Sequence, residues 1–532
     1  MFTKKIISYE DANQFNKLVS DYLSKKKDTE QLYSFFPDLE GYKKLLSNPT
    51  LYTNLKRDLL VNSLQTQALL VSNTSKESQS NISLLKNKNT FTVTTGHQLC
   101  LFTGPLYFIY KIISTINLSE WLNKKFPDKK FVPVYWMASE DHDFEEVNHA
   151  FVYGKKIQWQ SDQIGAVGNF KTEGLDSVIK ELETVLGDSE NSKNLISLFK
   201  KSYLEHSNLT DATRFLANEL FGSYGLVIVD GNDKALKNEF RDLIKKDVFE
   251  NLPFKKVNDT LHYLNSKKYP TQVNPREINC FYLNGNTRNR IEKQGETYKV
   301  VNTDISFSKT ELEKIIDSEP EKISPNVVLR PLYQQHILPN IAYVGGPGEI
   351  TYWLEYKEMF DALNIQLPVL QPRQFILIVD KNQQQKLAKL GLDLKDAFKN
   401  EQDLIQQFLS NHGATVDIEA EKNELNKVFN DLLSKSIEVD KTLESAVKAE
   451  NQKALNSLSM LEAKLNKALK QRSDTELNQI KNIKSKLFPE NLPQERYDNF
   501  SMLYTKWGNK FIEEIKKQTE GNDLNYLILL EN

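Results

Sequence analysis

Residues 417–488 contain neither glycine nor proline. Both residues interrupt helices, one through backbone freedom and the other through its missing N–H. A run this long without either commits to helix. Leu425, Val428 and Leu432, then Leu458, Leu461, Leu465 and Ala468, recur at three- and four-residue steps, with charged residues between them. That spacing is the seam of a coiled coil or of a long antiparallel helical hairpin. Such a helix cannot bury its stripe alone and needs a partner helix, from the same chain or another. The segment reads as architecture rather than chemistry.

The remainder is too long for one ordinary core, because 532 residues at ~100–200 per domain imply two to four units or one large domain with insertions. Lysine and arginine (69) nearly balance aspartate and glutamate (71), which argues against a general nucleic-acid binder while leaving room for a basic pocket. Cys100 and Cys280 are too few for a disulfide framework or a thiolate metal site. No window reaches the ~18 apolar residues of a membrane span, and no apolar run follows Met1–Lys5. The expected setting is cytoplasmic.

Strand-like runs alternate with helical patterns. Phe91–Thr95, Phe131–Ala138, Gly225–Val229 and Phe375–Val379 read as buried strands. A helical stretch opening at Pro105, and others at 210–221 and 234–249, separate them. This order predicts an α/β fold with a Rossmann-type parallel-sheet core and right-handed crossovers. The expected division is a helical segment over 1–88, the core over 89–385, a helical coiled-coil domain over 386–490, and a terminal helix and tail over 491–532. Residues 151–220 and 255–330 read as insertions in the core. Within 1–88, Ala12–Lys27 and Leu51–Val71 have helical spacing, and 73–89 has a linker's composition.

Four clusters carry chemistry. Thr95, Gly96, His97 and Gln98, followed by Thr103-Gly104-Pro105, lie between a strand and a helix, where ligands bind in open α/β sheets. The helix start would offer N–H groups to an anion and keep His97 neutral. Ser139, Glu140, Asp141, His142 and Asp143, with Asn148 and His149 close behind, follow the next strand. They offer amine binding or general-base chemistry, and their spacing fixes no metal. The third cluster is Arg330-Pro331 with Tyr343-Val344-Gly345-Gly346-Pro347-Gly348-Glu349 and Tyr352-Trp353. Its glycines suit an anion-holding nest, and Glu349 would begin a helix. The fourth is Pro372-Arg373, a potential fork for carboxylate or phosphate. Each also has a plainer reading as turn, cap or salt bridge. Asp230-Gly231 stands at even odds of facing the same crevice.

Taken together, Thr95-Gly96-His97-Gln98, Thr103 to Tyr107, Glu140 to Asp143 with Asn148-His149, Arg330-Pro331, Gly345 to Glu349 with Tyr352-Trp353, and Pro372-Arg373 resemble the cysteine ligase family of bacillithiol biosynthesis. The long helical segment near the C-terminus matches as well. The resemblance implies a Rossmann-type core with inserted subdomains and a coiled coil that joins two subunits as a homodimer. It also implies addition of cysteine to glucosaminyl-malate, the step that forms bacillithiol. The core of that family is similar to class I aminoacyl-tRNA synthetases, where a Gly-His pair at the first strand–helix turn supports adenylate formation. Gly96-His97 occupies that turn here, and the Lys-Met-Ser-Lys-Ser loop of those enzymes is not found in this chain.

Under that resemblance the cysteine carboxyl must be activated, as an adenylate or acyl phosphate, and ATP or another nucleotide is expected. His97, Gln98, the helix start at Gly104, Arg330 and Arg373 are the expected donors to developing negative charge. Asp141, His142 or Asp143 would take the amine proton. Arg330 and Gly345 to Gly348 would hold the malate carboxylates, and Thr95, Ser139, Glu140, Asn148, Tyr343, Glu349 and Trp353 would complete the wall. Two other functions fit a similar core: a nucleotide-dependent ligase or nucleotidyltransferase on another small acid, and a non-catalytic, nucleotide-binding dimeric scaffold.

Overall fold

Five runs rich in β-branched and aromatic residues become one sheet in the computed structural model, which describes every residue except 49–51, 54, 286, 414 and 415. They are β1 (Thr90–His97), β2 (Lys130–Met137), β3 (Val227–Asp230), β4 (Asn340–Gly345) and β5 (Val369–Pro372). The order is β5-β4-β1-β2-β3 with every pair parallel. All of β1 is buried, as is β2 beyond Lys130. Burial on both faces explains why these strands read as continuous runs rather than alternating ones. Winding proceeds outward from β1 through β2 and β3, then restarts on the other side with β4 and β5. The reversal therefore falls between β1 and β4. The register aligns the carboxyl ends: His97 with Met137, Met137 with Asp230, and Gly345 with Pro372.

Crossing from β1 to β2 is helix α1 (Tyr107–Lys125), buried without a break from Phe108 to Ser119. Polar groups inside the sheet are matched. Thr94 Oγ1 donates to Asn340 Oδ1 at 2.7 Å, and Asn340 Nδ2 donates to Gln335 Oε1 at 3.1 Å. Unmatched, each would cost ~1–3 kcal/mol.

Several expectations require correction. The Phe375–Val379 strand forms but lies outside the five-stranded sheet. An apolar run marks a buried strand without saying which sheet it joins. The third cluster's own Asn340–Gly345 is the strand that borders β1, and Val369–Pro372 flanks it. Pro105 precedes α1 rather than opening it. Phe102, Thr103 and Gly104 all hold positive φ (52°, 71° and 66°), and Pro105 bridges to Asn499. The first residues form a strand, Phe2–Ile7. The expected linker contains a helix, Lys76–Leu84, capped by Ser75 and anchored by buried Ile82. Ser75 serves the cap, and Ser78 Oγ and Asn81 Nδ2 donate to Leu226 O and Gly225 O at 2.7 and 2.6 Å. Leu51 lies outside the described residues; the helix that follows is Arg57–Ala68.

The 255–330 region builds an antiparallel sheet from Cys280–Asn284, Thr287–Gln294, Thr297–Val300, Ser306–Ser308 and Ile323–Pro325. The chain divides into two compact units. One is Met1–Ile376 with Glu495–Ile528; the other is Leu377–Gln494 with Leu529–Asn532. In the second, helices Glu419–Val439 and Glu444–Arg472 pair antiparallel. Val416 N meets Asn466 Oδ1, Lys422 Nζ meets Glu462 and Asn426 meets Asn451, at 2.8, 2.8 and 2.9 Å. No residue of either helix is buried, and Leu461 is 51 % exposed.

Candidate functional site

Beyond the carboxyl ends of these strands opens a cavity of about 640 Å³, lined by seven cationic side chains and three carboxylates. Most of the four motif clusters meet there. From the end of β1 come Gly96, His97 and Gln98; from the end of β2, Ser139, Glu140, Asp141 and His142. Tyr343, Gly346, Gly348 and Glu349 arrive from β4 and its turn, with Arg330 and Arg373 beside them. Gly231 also lines the cavity, while its neighbour Asp230 accepts the Ser139 hydroxyl.

Six expected residues stand elsewhere, five of them with a structural task. Thr95 Oγ1 donates to Val344 O at 2.8 Å, fastening β1 to β4. Gly104 accepts from Asn499 Nδ2 at 2.5 Å, and a Cβ there would fall 2.6 Å from Cys100 Cβ. The Thr-Gly-Pro turn is thus a packed hinge into α1. Asn148 receives the Trp159 N–H at 2.8 Å, and Gly345 O receives the Arg373 N–H at 2.9 Å. Trp353 is buried against Tyr343, with ring centroids 4.5 Å apart. Asp143 is exposed on the loop.

At the end of β1, His97 stacks on Tyr107 with centroids 5.3 Å apart and planes at 16°. Its Nε2 is buried and has no hydrogen-bond partner among the described residues. Burial first, then Lys111 and Arg373, push the imidazole well below its ordinary pKa. The ring is neutral, as expected, but burial rather than the helix start is the chief cause. Lys111, buried on α1, donates to Gly96 O and lies 2.7 Å from Glu349 Oε2. Glu349 also receives the Gly346 N–H at 2.9 Å and the Tyr343 hydroxyl at 2.5 Å. Burial would raise the Glu349 pKa; these partners, led by Lys111, hold it below the ordinary value. The Gly346 N–H expected to hold an anion is therefore committed to Glu349.

In the acidic loop, Glu140 is neutralised by buried Lys237 at 2.5 Å. Gln98 Nε2 donates to Asp141 Oδ2 at 2.8 Å and to Glu146 at 2.7 Å. The backbone N–H of His142 donates to Asp141 Oδ1 at 2.7 Å. Arg288, from the inserted antiparallel sheet, lies 2.9 Å from His142 Nδ1. A guanidinium only donates, so Nδ1 accepts and the neutral ring carries its proton on Nε2. Burial, then Arg288, lowers the His142 pKa.

Arg373 turns its fork to Glu495, with contacts of 2.9 and 2.6 Å, and both side chains are buried. Its Nε has no partner among the described residues. Arg330 donates to Gln334 at 3.0 Å and crowds Gly96, where a Cβ would meet Tyr343 Oη at 3.2 Å. Sequence reasoning missed Lys111, Arg276, Arg288, Arg290 and Arg496 on the cavity wall. Lys111 left a signal, as the one charge in the first three turns of an apolar helix. Among the described residues, no group of three or more His, Cys, Asp or Glu is placed to hold a metal ion.

A parallel sheet whose winding reverses beside a cation-rich cavity at the strand ends is a Rossmann-type architecture. Residues 2–374 match the Rossmann-like N-terminal domain of BshC of bacillithiol biosynthesis, and residues 376–531 match its C-terminal coiled-coil domain. The chain belongs to the BshC family of bacillithiol biosynthesis. Similar proteins, each named "Putative cysteine ligase BshC", come from Flavobacterium psychrophilum (45 % identical, 96 % of each chain) and Flavobacterium johnsoniae (43 %, 98 % of this chain and 99 % of the other). Another, from Bacillus cytotoxicus, is 26 % identical over 94 % of this chain and 96 % of that one. A solved structure described as a "putative arginyl t-RNA synthetase from Campylobacter jejuni" aligns over 88 % of this chain and all of its own, at 12 % identity and a TM-score of 0.22, too slight to bear on fold or function.

Proposed function

We propose that this cavity joins the carboxyl of cysteine to the amine of glucosaminyl-malate, forming the amide of bacillithiol. The observation that carries the reading is the meeting of residues from all four clusters around one cation-rich cavity in a chain of this family. The hydrogen bonds already made support the following roles. Gln98, Gly346 and the Arg373 fork are already engaged. His97 Nε2, Arg373 Nε and Arg496 keep free donor capacity beside Tyr107 and are the donors left for the oxygen of the reacting carboxyl. A neutral His97 donates without adding charge. Asp141 takes the amine proton: Gln98 and the His142 N–H orient its carboxylate, and Arg288 occupies the accepting nitrogen of His142.

A carboxylate is a poor electrophile, and a nucleoside triphosphate would supply the activation it lacks. The donor set suits one, since guanidinium, ammonium and imidazole groups crowd the strand ends where phosphates bind in this fold class. Incubating the purified chain with cysteine, glucosaminyl-malate and ATP should yield bacillithiol. Lack of product with all three present would count against the reaction.

The helical hairpin supports a homodimer. Leu432 and Leu465, 47 % and 41 % exposed, leave a hydrophobic stripe uncovered on paired helices that bury no residue. Among the described residues no helix is long and apolar enough to cross a membrane, which fits a cytoplasmic setting.

A further inference from the structure

On strand Thr287–Gln294 of the inserted sheet, Arg288 and Arg290 stand two residues apart and so share a face, and both line the cavity. They differ in what remains available. Arg288 is engaged through all three of its nitrogens: it donates to Ser324 Oγ and Pro325 O at 3.0 Å each and to His142 Nδ1, and its guanidinium packs 4.0 Å from the Phe281 ring centroid. Arg290 pairs with Glu292 at 2.8 Å through one terminal nitrogen, while its Nε is buried with no partner. Arg276 lines the same cavity, and its side chain has no hydrogen bond or ion pair among the described residues. Among the described residues the neighbouring carboxylates of Glu140 and Asp141 do not pair with these two arginines. Glu140 is held by Lys237, and Asp141 by Gln98 and the loop backbone.

We propose that Arg276 and Arg290 form a dicarboxylate subsite that holds the malate end of the acceptor substrate. The inserted sheet would then select the acceptor, and the strand ends would perform the chemistry. This rests on the ligase reading above. It places malate recognition on the inserted sheet rather than at Arg330, which donates one nitrogen to Gln334, or at the Gly346 N–H, which is taken by Glu349. Guanidinium forks suit carboxylates, and each lost charged contact is worth roughly tenfold in affinity.

Calorimetry on the full chain tests it with two probes: glucosaminyl-malate, and methyl glucosaminide, which lacks the carboxylates. Arg276→Met and Arg290→Met should each weaken glucosaminyl-malate roughly tenfold, and the double variant roughly a hundredfold, with methyl glucosaminide binding and melting temperature unchanged. Lysine at either position, keeping charge without the fork, should restore part of the loss. Undiminished glucosaminyl-malate binding by the double variant overturns the subsite alone. Failure of the unaltered chain to bind glucosaminyl-malate overturns the ligase reading and the subsite together.

Discussion

Lys111 Nζ lies 2.7 Å from Glu349 Oε2, and this contact ties the helix after β1 to the helix start after β4 across the point where the sheet reverses. The lysine side chain is 4 % exposed and the glutamate side chain 23 %, so the lysine charge is shut off from bulk water and relies on its partner. The pair also fixes the cavity floor, because Lys111 holds Gly96 O while Glu349 holds the Gly346 N–H and the Tyr343 hydroxyl.

Replacing Lys111 with methionine strands a buried carboxylate and should cost about 3–5 kcal/mol. Adding Glu349→Gln should recover part of that, so the double variant loses less than the sum of the two single losses. Urea unfolding of the four proteins measures the coupling, expected at ~1–3 kcal/mol.

The same pair sets an acid limit. The folded Glu349 pKa is lowered, so its contribution is complete above the ordinary carboxylate value of ~4.3 and is lost as pH falls through the lowered value. Stability measured from pH 7 downward should decline less steeply in Lys111→Met, whose Glu349 no longer gains from being charged.

Arg288 should govern the titration of His142. With Arg288→Gln, a neutral amide replaces the guanidinium beside Nδ1, and the imidazole pKa should rise toward its ordinary value. Asp141 at 3.7 Å and Asp143 favour the charged ring and remain in place. Proton–nitrogen NMR of the His142 ring reads the shift directly.

Gly231 has no room for a side chain. A Cβ there would lie 2.4 Å from Trp136 Cζ2. Gly231→Ala should displace the indole, cost about 1–3 kcal/mol and alter tryptophan fluorescence.

Proline at Leu461 should break helix Glu444–Arg472 at a cost of ~3 kcal/mol or more. The proposed homodimer predicts, by light scattering, a dimer for the unaltered chain and a monomer for this variant. A dimer that persists would place the interface elsewhere.

Local pattern carried the β1 to β3 strands, the helical hairpin and the sheet-edge location of Gly96-His97, because each follows from periodicity or from a strand–loop–helix junction. It could not reach Arg276, Arg288 or Arg290. Their arrival at the cavity depends on how an inserted sheet packs against the core, a long-range fact absent from any short window. Glu495 was hidden for the same reason: it neutralises Arg373 from 122 positions away. The Thr-Gly-Pro motif also has a steric side that no spacing reveals, since Gly104 holds positive φ and has no room for a Cβ beside Cys100.

The most direct test of the account is the thiol content of a bacillithiol-null strain carrying His97→Ala or Asp141→Ala in place of the unaltered gene, read by mass spectrometry. Both proteins should accumulate to normal levels while bacillithiol is lost and glucosaminyl-malate builds up. Normal bacillithiol in both strains would mean that the cavity at the β1–β4 reversal is not where the amide forms.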